Sequence, residues 1–187
     1  MASLLDVHMK FFTLFFSIAL LFSPAVFSNE ALPAYSQHYD DTRNPFDDAK
    51  AAIKLANETN RNVLIEIGGE WCGWCAKMDA FLIANPGVAS LLHQNFVLIK
   101  VNVSDSNENA EFMKGLPPVL GYPHMYVASP NGKMLLSKDT AELLEGDEYS
   151  VDNWLDFIDK WQPNAIQVES SLDQPVKKTN NALNTTE

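Results

Sequence analysis

The chain has 187 residues, a formal net charge of −11 and two cysteines. That length fits one domain with a sizeable core. The acidic balance argues against nucleic acid or an anionic membrane surface as partner, and there is no second cysteine pair to complete a zinc site.

Residues 1–28 read as an export signal. Phe11 to Phe22 is apolar except for Thr13 and Ser17, Pro24 breaks the run, and Val26-Phe27-Ser28 offers a cleavage point after Ser28. The run falls short of the roughly 20 residues of a membrane span. An uncleaved anchor is thus the lesser alternative, and no stable span is expected after cleavage. Asp6 offsets Lys10, and Met9 is a second candidate start. Export implies the periplasm or the extracellular space, where disulfides persist. Cleavage removes one Lys and one Asp, so the mature charge stays at −11.

Residues 29–43 form a polar lead-in. Asn44 then caps a helix that Pro45 opens, with Asp47 and Asp48 in its first turn and a stripe of Ala49, Ala52, Ile53 and Ala56. Val63 to Ile67 reads as a buried strand containing one charge, Glu66. Gly68-Gly69 leads to Trp71-Cys72-Gly73-Trp74-Cys75 and a helix to about Ala84. Asn85-Pro86-Gly87 punctuates the chain. Val88 to Gln94 is a short helix and Phe96 to Val103 a second strand. Ser104 to Asn109 is a polar loop, and Glu111 to Lys114 is helical. Beyond Gly121-Tyr122-Pro123, strands His124 to Ala128 and Lys133 to Ser137 flank Asn131-Gly132, a hairpin signal. Asp139 to Tyr149 is an acidic connector. Val151 to Trp161 is a final helix, capped by Ser150 or Asp152, with Trp154, Leu155, Ile158 and Trp161 on one face. Residues 163–187 read as a disordered polar tail. The order of elements predicts a three-layer α/β/α sandwich around a mixed sheet.

A disulfide closing so small a loop constrains the unfolded chain little, so the Cys72/Cys75 spacing favours reactivity over reinforcement. The active nucleophile is a thiolate. A helix starting at Cys72 offers unpaired amides and a dipole that favour negative charge there. Cys72 would attack, and Cys75, one turn on, would resolve the mixed disulfide. An inert staple, half a metal site and a Cu(I) carrier using both thiolates remain as alternatives.

From Asn44 to Gln162 the chain resembles the thioredoxin fold. The resemblance rests on Trp71-Cys72-Gly73-Trp74-Cys75, on Gly121-Tyr122-Pro123 before a strand, and on the hairpin followed by a C-terminal helix. It implies a thioredoxin-like domain over residues 44–162. It also implies a Cys72–Cys75 redox disulfide, with Glu66 as the buried acid that takes a proton from Cys75. An exposed or ion-paired Glu66 is the alternative. Pro123 would be cis and present the Tyr122 backbone to an extended substrate; an ordinary trans proline is the alternative. Trp71 and Trp74 would form an apolar rim for peptide. Trp74 replaces the proline of thioredoxin, which leaves the redox direction open. His124 and Lys77 are lesser candidates near the thiols. The expected function is an exported thiol–disulfide oxidoreductase acting on protein or peptide disulfides, with reduction favoured. No cofactor is expected. With no nicotinamide or flavin motif, a separate redox partner would recycle it. A redox-inactive, chaperone-like binding module is the rival.

Overall fold

The computed structural model describes residues 37–163. The expected export segment and cleavage point lie outside the described residues, as does the tail from residue 164 onward.

Helix α1 (Pro45–Thr59) begins where the sequence places it. The Asn44 side chain accepts from the Phe46 N–H at 2.9 Å, and Pro45 occupies the first turn. It ends at Asn60, left-handed at φ 50°, a conformation asparagine tolerates. Ala52 and Ala56 are buried. Asp48 does more than complement the helix dipole: it is buried and ion-paired to Arg43.

Four strands form the sheet in the order β2-β1-β3-β4: β1 (Asn62–Gly68), β2 (Phe96–Asn102), β3 (His124–Ala128) and β4 (Met134–Asp139). β1 runs parallel to β2 and antiparallel to β3, and β4 is antiparallel to β3. Between β1 and β2 lie α2 (Gly73–Ala84) and α3 (Pro86–Asn95); α4 (Ala110–Met113) precedes β3. β1 and β2 are buried throughout because both faces of the sheet are covered, which explains their unbroken apolar character.

Strand alternation sorts the side chains into two cores. Val63, Ile65 and Ile67 pack with Ala52, Ala56, Phe112 and Tyr126 on the α1 side. Leu64 and Leu98 pack with Met78, Leu92 and Trp154 on the opposite side, beneath the cysteine helix. Glu66 shares the parity of Leu64, and Lys100 stands opposite it in the β1–β2 register. A carboxylate and an ammonium are therefore carried into the layer under α2.

Helix α5 (Val151–Trp161) closes this layer. It buries Trp154, Phe157 and Ile158, whereas Leu155, expected on the apolar face, is exposed. Phe157 takes that place, stacking on Phe96 at 5.8 Å. Ser150 is the N-cap residue, and neither expected cap supplies a side-chain hydrogen bond there. The connector expected between Asp139 and Tyr149 is ordered. Asp139 caps a 3-10 turn (Thr140–Leu143) by accepting from the Ala141 N–H at 2.9 Å. The chain then pairs β5 (Leu144–Glu145) with β6 (Glu148–Tyr149) around Gly146 at φ 63°.

Candidate functional site

The glycine turn after β1 delivers Cys72 to the N-cap of α2. Its sulfur accepts from the Cys75 N–H at 3.1 Å, so it sits against the free amides of the first turn. The two cysteines form a disulfide with Cα atoms 5.2 Å apart. Both are largely enclosed. Cys72 is 4% exposed and Cys75 1%, so the two cysteines differ little in access.

Glu66 is fully buried below this pair. Its Oε1 accepts from the Tyr39 hydroxyl and lies 3.5 Å from Lys100 Nζ. Lys100 also pairs with Asp79 of α2 and stands over the Tyr39 ring, 4.9 Å from its centroid. Burial pushes the Glu66 carboxyl up from its ordinary range; Lys100 and the Tyr39 hydrogen bond pull it back, and Asp79 adds to the rise. Burial first, then Glu66, pushes the Tyr39 phenol well above its ordinary value.

Tyr39 comes from the segment read as a polar lead-in. It packs in one cluster with Cys72 and Cys75. Nothing in its local sequence signals this, because the polar residues around it carry no apolar stripe. Lys100 was also missed, although a signal existed. Like Glu66, it is a lone charge within an apolar strand and needs a partner.

Aromatic side chains surround the disulfide. Trp71 is 57% exposed; its Nε1–H donates to Val103 O at 2.7 Å and its ring meets Tyr122 edge-on at 5.2 Å. Gly69 permits this course, since a Cβ there would lie 2.4 Å from Trp71 Nε1. The Tyr122–Pro123 bond is cis, and Pro123 O accepts from Thr140 Oγ1 at 2.6 Å. Trp74 is 42% exposed and edge-on to Tyr149 at 6.2 Å. Two concave surfaces meet at Tyr122. One, of about 1180 Å³, is lined by Trp71, Val103, Met113, Leu116 and Pro117. The other, of about 320 Å³, is lined by Trp74, Leu120, Pro123 and Tyr149.

The lesser candidates face elsewhere. Lys77 pairs with Glu148 at 2.9 Å and lies over the Trp74 ring at 4.7 Å. His124 is buried, with Nε2 2.9 Å from Ser137 Oγ, and burial pushes its pKa down. Among the described residues, no group of three or more His, Cys, Asp or Glu side chains is placed to hold a metal ion, and no helix is long and apolar enough to cross a membrane.

Comparison with known proteins agrees with this arrangement. Residues 44–130 match the thioredoxin-like family. A protein disulfide-isomerase of Hordeum vulgare is 34% identical over 77 residues, 41% of this chain and 14% of the relative. The thiol:disulfide interchange protein DsbD of Actinobacillus pleuropneumoniae is 26% identical over 110 residues, 59% of this chain and 18% of the relative. The chain thus spans a quarter or less of the curated relatives it matches. A solved disulphide isomerase from Xylella fastidiosa superposes with a TM-score of 0.57 at 24% identity, covering 65% of this chain and 94% of that one. The sheet order, the cysteine helix and this superposition define a thioredoxin fold. The thioredoxin-like family match runs over residues 44–130, which hold the cysteine helix and the first three strands of that fold.

Proposed function

We propose that the chain is an exported thiol–disulfide oxidoreductase that reduces protein or peptide disulfides. The observation that carries this reading is the Cys72–Cys75 pair at the amino end of α2 with a buried carboxyl beneath it. In the reduced protein, the α2 amides favour the Cys72 thiolate. That thiolate attacks one sulfur of a substrate disulfide and expels the other as a thiolate. Cys75 then loses its proton, with Glu66 as the acceptor, and attacks Cys72 Sγ. The Cys72–Cys75 bond re-forms and the second substrate thiolate departs. Two electrons have passed from the dithiol to the substrate. A separate redox partner returns them.

Trp71, Trp74 and Tyr122 supply the apolar walls that receive peptide, and the Tyr122–Pro123 segment is the edge it lies along. The two surfaces meeting at Tyr122 support this role. The export signal read in residues 1–28 supports a periplasmic or secreted setting, where such chemistry has substrates. An insulin-reduction assay tests the reading. Wild type is expected to precipitate the insulin chains and Cys72→Ser to lose that turnover. Equal turnover by both proteins defeats the proposal.

A further inference from the structure

We infer that Tyr39 relays the proton between Cys75 and Glu66, so that the segment before the family-matched residues completes the redox site. This rests on the oxidoreductase reading above and extends it to a residue outside the matched region. Gly68 fixes where the two groups meet. A Cβ built on Gly68 would lie 2.5 Å from the Tyr39 hydroxyl oxygen and 2.6 Å from Cys75 Sγ. Both atoms therefore crowd the one position a side chain would fill, and their separation is at most the sum of those distances. The same hydroxyl donates to Glu66 Oε1. Tyr39 thus touches the carboxyl at one end of a proton path and flanks the sulfur at the other.

The surroundings suit a relay. Tyr39 packs with both cysteines in one buried cluster, with Tyr122 at its edge. The charged and titratable groups facing it are Glu66 from β1, Asp79 from α2 and Tyr149 from β6, with the Lys100 ammonium from β2 over its ring. Burial, with Glu66, Asp79 and Tyr149, keeps the phenol protonated, so it cannot act as a base by itself. It can pass a proton by giving one as it takes one. The Cys75 S–H proton moves to the Tyr39 oxygen while the Tyr39 O–H proton moves to Glu66 Oε1. The Cys75 sulfur, with its freed electron pair, bonds to Cys72 Sγ. The bond from Cys72 to the substrate sulfur breaks, and the substrate leaves as a thiolate. Tyr39 ends neutral and Glu66 ends as the carboxylic acid, the form that burial favours.

The aromatic disulfide dithiobis-nitrobenzoate separates the two sulfurs. Added to the reduced full chain, it releases one thionitrobenzoate when Cys72 attacks and a second when Cys75 resolves the adduct. Tyr39→Phe is expected to leave the first release within about twofold of wild type. It should slow the second about 100-fold, the lower end of what positioned proton transfer contributes. The wild-type second phase should level off once Glu66 is ionised, whereas in Tyr39→Phe it should keep rising until the thiol itself ionises. Glu66→Gln should match Tyr39→Phe, and the double variant should be no slower than the slower single one. Should Tyr39→Phe fail to fold, the wild-type second phase in H2O–D2O mixtures gives the answer. Two protons in flight predict a bowed dependence on deuterium fraction. A linear dependence overturns the relay. So does a Tyr39→Phe second phase with the wild-type rate and pH profile, or an equal slowing of both phases. Absence of any second release from wild type instead defeats the oxidoreductase reading itself.

Discussion

Replacing Lys100 with methionine tests the electrostatics under the disulfide. The substitution keeps most of the side chain's length and removes its charge. In the structure that charge lies 3.5 Å from Glu66 Oε1, pairs with Asp79 and covers the Tyr39 ring. The Asp79 contact contributes little, about 0–1 kcal/mol, because the Asp79 side chain is 43% exposed and water screens it. The Glu66 contact is different in kind. Removing one partner of a buried pair costs about 3–5 kcal/mol while the other stays ionised. Glu66 can escape that cost by holding a proton, so the loss must depend on pH. Its carboxyl is already raised by burial, and Lys100 is the strongest influence opposing the rise. Between the ordinary carboxylate range and the raised folded value, the folded protein binds more protons than the unfolded chain. Its stability therefore falls as pH rises through that window. Lys100→Met moves the upper limit of the window upward. Urea unfolding of the oxidised protein at a series of pH values measures this without interference from thiol ionisation. The variant should lose about 1 kcal/mol or less at acid pH and roughly 3 kcal/mol above neutrality. Adding Glu66→Leu should restore most of the difference. A loss that stays the same at every pH would mean that Glu66 does not carry the effect.

Gly68→Ala should destabilise the fold by about 1–3 kcal/mol, because the added methyl overlaps the Tyr39 hydroxyl and Cys75 Sγ. Thermal melting checks it, and an unchanged melting temperature would mean that the site is looser than described. Trp71→Ala removes the bond to Val103 O and the edge contact with Tyr122 from an exposed side chain, so stability should fall by only about 1–2 kcal/mol. The KM for a peptide disulfide should rise at least severalfold, and an unchanged KM would remove Trp71 from the substrate rim. Trp154→Ala, at a fully buried position against Phe81 and Phe157, should cost about 3–5 kcal/mol in denaturant unfolding. A loss under 1 kcal/mol would contradict the packing of α5.

How much of this was legible in the chain depends on the range of the cause. The Asn44-Pro45 helix start, the strand holding Glu66 and the cysteine helix are each set by neighbours within one or two turns, and they lie where the residues indicate. Phe157 displaced Leu155 from the core because the α3 and β2 packing decides which side of α5 turns inward, and that contact is remote in sequence. The ordered connector was missed because Asp139 and Gly146 act through a cap and a left-handed turn rather than through apolar periodicity. At the site, Cys72, Cys75 and Glu66 are marked by spacing and by a charge in an apolar strand. Lys100 carries the same mark in the next strand. Only the parallel register pairs it with Glu66. Tyr39 reaches Glu66 across 27 residues, and no local pattern encodes that contact.

On the proposed reading, Cys72 of the reduced protein is an ionised nucleophile near neutrality because it caps α2. The direct test is the rate of alkylation of the reduced protein by iodoacetamide against pH, with the modified cysteine located by mass spectrometry. Cys72 is expected to react first, with a midpoint clearly below the ~8.5 of a free thiol. A midpoint at or above ~8.5, or prior modification of Cys75, would contradict it.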